Sequence, residues 1–224
     1  MEDVFYNVSP SKSEIEISKS DITIMYIPKH FANTDRQDIL EFIQKYSFGV
    51  LISAENNLPF GSHIPFVAEL QNDELILTSH IAKANPQAQQ LLANELLVIF
   101  SEPHAYISPK HYEKEQNVPT WNYIAIHAYG KAELIEDEAG QLEMMEKMIR
   151  LYDTAYLDQW NNLPADYKSK MLKGIVAFQI KVTNLEGKNK LSQNRSETER
   201  QNIINALKKS SDTNELQIAG YMKK

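Results

Sequence analysis

VPTWNYIAIHAYG, the stretch Val118–Gly130, gathers a proline, a tryptophan, an asparagine, two tyrosines and a histidine into one short run. Side chains two apart on a strand share a face. Ile124, Ile126 and Ala128 therefore lie on one side, and Tyr123, Ala125, His127 and Tyr129 on the other. Both sides carry large groups, so both are expected to touch something. A one-sided surface sheet does not need this pattern. A strand with one face in a barrel core and the other against a ligand or partner does.

Working outward, further alternation and turn chemistry predict strands over Phe48–Ser53, Phe60–Leu70, Glu74–Thr78, Leu96–Phe100, Trp121–Ile135 and Gly174–Leu185. Turn residues Glu55-Asn56-Asn57 and Gln71-Asn72-Asp73 separate the early ones. Pro65 marks an edge or a bulge. Helical spacing predicts helices over Thr34–Tyr46, capped by Thr34 with Gln37, and over Glu136–Asp153 and Pro164–Lys173. Ser196 with Glu199 opens another, running to Lys209, and a short segment follows over Leu216–Met222. Short antiparallel connections dominate the first half. The class is α+β, a mostly antiparallel sheet or barrel of roughly six or seven strands with peripheral and C-terminal helices.

Residues 1–24 read as an N-terminal extension with short isoleucine-bearing edge strands, followed by one domain over 25–224. The chain has 224 residues, 42% of them hydrophobic and 24% charged, enough for a packed core. No apolar run reaches the roughly 18 residues of a membrane span, and no signal-peptide pattern opens the chain. The absence of cysteine removes disulfides, thiolate metal sites and cysteine nucleophiles together. These features point to the cytoplasm. A net charge of −7 weighs against broad nucleic-acid binding, which needs cations to neutralise phosphates.

Three clusters bear chemistry. Thr78, Ser79, His80, Lys83 and Asn85 lie between a strand end and the helix start Asn85-Pro86. Free amides and the helix dipole favour an anion there, and Lys83 adds a charge; an ordinary capped connection has the same spacing. Glu186–Arg195, EGKNKLSQNR, reads as a polar loop whose Lys188, Lys190, Gln193, Asn194 and Arg195 suit a phosphate, a flavin or nicotinamide edge, or nucleic acid; it also suits a solvated loop. Trp121 with Asn122 and Tyr123 offers either core packing or an aromatic plane at a strand mouth. The histidines show no metal-ligand spacing, and no G-x-S-x-G elbow marks a nucleophile. No catalytic residue stands out.

MYIPKHF at 25–31, TSHIAKANPQ at 78–87, HAYISPKHY at 104–112, VPTWNYIAIHAYG at 118–130 and KLSQNRS at 190–196 together resemble the PaiB-like family, FMN-binding negative transcriptional regulators. The resemblance runs in order from Met25 to Leu207. It implies an FMN-binding split barrel, a homodimer and two flavin sites at the subunit interface. It further implies a cofactor site drawn from Thr78, Ser79, His80, Lys83, Asn85, Trp121, Asn122, Lys190, Ser192, Gln193 and Asn194, with Ser79 and Lys83 on the phosphate. The Ser-Arg-Lys of the related oxidases is absent, its place taken by Ser79-His80-Ile81-Ala82-Lys83. Direct DNA contact is the weaker partner expectation, because no helix-turn-helix precedes the Ser196 helix. Two other readings remain open, a flavin-dependent oxidoreductase and a haem-binding split-barrel protein.

Overall fold

In the computed structural model the opening stretch lies within a strand, Thr120–Leu134, that runs antiparallel to another, Ile175–Lys190. Residues 25–93 and 95–223 are described; the expected extension over residues 1–24 lies outside them. In chain order the strands are β1 (Ala32–Asn33), β2 (Phe48–Glu55), β3 (Leu58–Pro65), β4 (Val67–Gln71), β5 (Glu74–Ala82), β6 (Leu96–Phe100), β7 (His104–Ile107), β8 (Thr120–Leu134) and β9 (Ile175–Lys190). The helices are α1 (Arg36–Lys45), α2 (Glu138–Tyr152), α3 (Leu157–Asn162), α4 (Ala165–Leu172), α5 (Glu197–Leu207) and α6 (Thr213–Tyr221).

All strand pairs are antiparallel, in the order β3-β2-β6-β8-β9-β5-β4, with β1 added to β9 and β7 to β8. Paired asparagine and aspartate residues make the hairpins tight. Asn56-Asn57 and Asn72-Asp73 both hold the positive φ that two-residue hairpin turns require. The two ends of the sheet curl together. β3 at one end passes through Phe66 alone into β4 at the other, and the Ser79 hydroxyl on β5 donates to the Pro65 carbonyl at 2.6 Å. Inside sit Leu51, Leu77, Phe100, Ile124, Ile126 and Phe178, while α1, α5 and α6 contribute Ile43, Ile203 and Ile218 to the same core. This is the α+β split-barrel architecture expected.

Several boundaries differ from the sequence reading. The segment Phe60–Leu70 is two strands, because Pro65 ends β3 and Phe66 turns into the core. Asp35, rather than Thr34, caps α1, accepting from the Gln37 and Asp38 amides at 2.9 and 3.1 Å. Ser196 caps α5 as expected, but the Glu199 carboxylate accepts the Glu113 N–H instead of closing a capping box. Asn85 and Pro86 start a five-residue 3₁₀ helix, not an α-helix, so little helix dipole gathers there. β7 and α3, which buries Trp160, went unread. Most consequentially, β9 continues to Lys190 through residues read as loop.

Candidate functional site

The register of β8 against β9 sorts the polar end of β9 onto two faces. Tyr123 faces Lys190, Ala125 faces Lys188, His127 faces Glu186 and Tyr129 faces Asn184. These residues form the outer face, opposite the core face of Ile124, Ile126 and Ala128. Glu186 and Lys188 are only 7% and 8% exposed. Glu186 accepts the Met25 N–H at 2.9 Å. The Lys188 ammonium donates to the Tyr26 carbonyl at 2.8 Å and stands 5.5 and 5.3 Å from the ring centres of Tyr26 and Tyr123. The sequence reading stopped the strand at Leu185 because EGKNK is polar. Its alternation continues the β9 period, and only the pairing with β8 shows that the alternation is structural.

The same face extends over β6 and β2. Val50, Ile99, His127 and Glu186 form one row across the sheet, and Ile52, Leu97, Tyr129 and Asn184 form the next. Val50, Ile52, Leu97 and Ile99 are only partly covered, and Phe48 beside them is 65% exposed. His127 Nδ1 lies 3.4 Å from the Tyr129 hydroxyl. Burial pushes the His127 pKa down, partly offset by Glu186, and burial together with Glu186 and Glu95 pushes Tyr129 up to about 12. The Lys190 ammonium is pulled below its ordinary value by burial and by neighbouring Lys188.

At one end of this face the motifs at 118–130 and 190–196 meet. Lys190 donates to the Trp121 carbonyl at 2.7 Å and to the Thr120 hydroxyl. Asn122 is fully buried on the inner side; its Oδ1 accepts from the Ser192 hydroxyl at 3.0 Å, and its amide nitrogen lies 3.4 Å from the Met222 sulfur. Ser192 adopts a positive φ of 60°, which turns the chain sharply out of β9. Gln193 folds back, accepting the Leu191 N–H at 2.7 Å and donating to the Asn189 carbonyl. Asn194 is exposed. The Trp121 ring is 51% exposed and sits 5.9 and 5.8 Å from His104 and Tyr106.

The Thr78–Asn85 cluster is arranged differently. Ser79 faces the core, its hydroxyl committed to Pro65, while Thr78 and His80 face the other side of β5. Burial lowers the His80 pKa, and its Nδ1 has no protein partner. Lys83 is exposed, and its N–H donates to the Gly174 carbonyl at 2.9 Å. Asn85 accepts the Gln87 N–H and donates to the Ser62 hydroxyl, both at 3.0 Å. Lys83 therefore stands beside the start of β9, and Lys190 stands at its end. A straight strand of 16 residues would separate them by about 50 Å at about 3.3 Å per residue, and coiling shortens this only in part. One subunit does not bring the two clusters together.

A concavity of about 500 Å³ lies on the opposite, inner side, between α1, α6 and the end of β9. Sequence reasoning missed it, since it forms where three distant segments meet.

A family profile described as "Putative FMN-binding domain" matches residues 25–184. The chain is 42% identical over 202 residues to the Protease synthase and sporulation protein PAI 2 of Bacillus subtilis (strain 168), a match covering 88% of this chain and 96% of that protein. Among solved structures, the flavocytochrome Anf3 from Azotobacter vinelandii superposes with a TM-score of 0.60 at 16% identity, covering 75% and 74% of the two chains. The FAD and heme binding protein from Mycobacterium smegmatis gives 0.52 at 18% identity, covering 71% and 73%. These two likenesses are of fold.

Proposed function

The chain belongs to the PaiB-like family of FMN-binding domains, and on that footing we propose a homodimeric cytoplasmic protein that binds FMN between its subunits and acts as a negative regulator of transcription. The observation that carries this reading is the outer face of β2, β6, β8 and β9, where partly covered Val50, Ile52, Leu97 and Ile99 share a surface with Lys188 and Lys190, farther along β9. The two cations cluster at the Tyr123 end of the face, while the carboxylates that act on Tyr129, Glu186 and Glu95, lie toward its other end, so positive charge is concentrated beside Lys188 and Lys190. FMN pairs a flat ring system with a phosphate, and this donor set suits it. Trp121 and Tyr123 offer ring planes beside it, and the buried Asn122–Ser192 pair holds the turn that carries Gln193 and Asn194.

The separation of the two clusters along β9 supports a two-subunit site. A two-fold interface places the same patch of each copy against the other. The Lys83 and Asn85 end of one subunit then completes a site begun by Lys190 and Trp121 of the other, with Lys83 on the phosphate and Thr78, Ser79 and His80 supporting the strand that presents it. Bound FMN would supply redox chemistry that side chains lack; the chain's own residues bind, orient and exclude water.

For regulation, sensing a ligand or contacting another protein suits the chain better than gripping DNA. The net charge is −7, and the Arg200 guanidinium on α5 is committed to the carbonyls of Leu191 and Met222 at 3.4 and 2.8 Å. A second reading, a flavin-dependent oxidoreductase, is favoured by the His127–Tyr129 contact on the same face, where an imidazole that burial keeps neutral stands beside a protonated phenol. NAD(P)H oxidation by the flavin-loaded protein would support that reading, whereas a salt-sensitive mobility shift on one promoter would support direct repression.

Calorimetric titration with FMN and with riboflavin tests the site. FMN binds the wild type saturably, and Lys83→Ala weakens FMN by about tenfold while riboflavin binding changes little. Equal loss for both ligands removes Lys83 from the phosphate, and no FMN binding by the wild type defeats the flavin reading.

A further inference from the structure

We propose that the inner cavity between α1, α6 and β9 is a second ligand site, selective for small organic ammonium compounds. Its volume of about 500 Å³ is in the range of small-molecule pockets. It lies across the sheet from the outer face, because Asn189 pairs with the core residue Ile124 while Lys188 and Lys190 point the other way.

The lining is rich in acceptors. Asp38 and Glu41 project from adjacent turns of α1, as residues three apart do. Asp38 accepts only a neutral donor, the Asn33 amide at 2.6 Å, and Glu41 accepts from the Gln37 amide at 3.2 Å. Neither carboxylate forms an ion pair among the described residues. Lys45 is spaced to pair with Glu41 but instead lies over the rings of Tyr46 and Tyr221, 4.9 and 5.1 Å from their centres. Asn189 lines both this cavity and a smaller one of about 210 Å³ beside it. Its Oδ1 is shut off from solvent and has no hydrogen-bond partner.

Two carboxylates that line one cavity, accept only neutral amide donors and form no ion pair among the described residues call for a donor that carries positive charge. A primary ammonium supplies three N–H donors and offsets one of the two negative charges. Phe42 and Tyr221, 6.4 Å apart between ring centres, provide the apolar wall for the body of such a molecule. A carboxylate ligand is repelled by the same groups, and a neutral alcohol leaves their charge uncompensated.

The test is calorimetry on the full chain with three probes of matched length: hexylamine, hexanol and hexanoate. Hexylamine is expected to bind saturably, with hexanol and hexanoate at least about tenfold weaker. Asp38→Asn and Glu41→Gln, both close to isosteric, should each weaken hexylamine by about fivefold or more. FMN titration of Glu41→Gln, whose side chain lies off the outer face, is expected to match the wild type and separates this site from the flavin site. Equal binding of hexylamine and hexanol, or undiminished hexylamine binding in folded Asp38→Asn and Glu41→Gln, overturns the proposal.

Discussion

The Ser192 hydroxyl donates to the Asn122 side-chain oxygen at 3.0 Å, joining two motifs that lie 70 residues apart in the chain. Both residues are buried, at 4% and 0% exposure. The bond fixes the turn at the end of β9 against the start of β8, and so fixes where Lys190 and Trp121 stand. Asn122→Ala leaves the buried Ser192 hydroxyl without its acceptor and is expected to cost about 1–3 kcal/mol. Thermal unfolding of both single variants and the double variant checks it: a coupled pair loses less in the double than the sum of the singles.

Lys188 is the buried cation of the proposed flavin face. Lys188→Met preserves much of the side-chain volume and removes the charge. FMN affinity is expected to fall by about tenfold, whereas Lys209→Met, exposed just after α5, leaves it unchanged. Fluorescence quenching of FMN by the two variants measures this directly.

Stability is expected to depend on pH from both sides. His80 and His127 have folded-state pKa values below 6.5 because they are buried. Below pH 6.5 the unfolded chain takes up protons that the folded chain resists, so their contribution is present at neutral pH and is lost as pH falls. Tyr129 has a folded-state value raised from 10.0 to about 12. The unfolded tyrosine ionises first, so that contribution is whole below pH 10.0 and is lost between there and about 12. Melting temperatures across this range should show both declines, and His80→Gln should flatten the acid one.

Gly130 sits where β8 shifts register against β9. A Cβ there would lie 2.1 Å from the Lys181 carbonyl oxygen and 2.8 Å from Ile180 Cγ2. Backbone cannot yield as a flexible side chain does, so Gly130→Ala is expected to lower stability by about 2 kcal/mol or more, or about 4–8 °C in melting temperature. Gly61→Ala, whose Cβ meets nothing nearer than 3.7 Å, serves as the control and should shift little.

Alternation carried most of the fold into the sequence. Ile124, Ile126 and Ala128 read correctly as core because both β8 faces keep a strict period of two, and Asn56-Asn57 and Asn72-Asp73 marked their hairpins by turn chemistry alone. What stayed illegible depended on pairing across the chain. EGKNK looks like a loop until β8 supplies its partners, so Glu186 and Lys188 were not placed on the outer face. Thr78, Ser79 and His80 looked like one cluster, but strand geometry sends Ser79 one way and its neighbours the other. The inner cavity has no local signature at all: Asp38, Asn189 and Tyr221 come from three regions that only the folded chain brings together.

The central claim is that two copies of this chain together hold FMN. Sedimentation velocity of the purified protein with FMN, read at flavin and protein absorbance, tests it most directly. Flavin sedimenting with a species of twice the chain mass, at one flavin per subunit, is the predicted result. A monomer carrying flavin, or a dimer sedimenting without it at saturating FMN, would contradict the account.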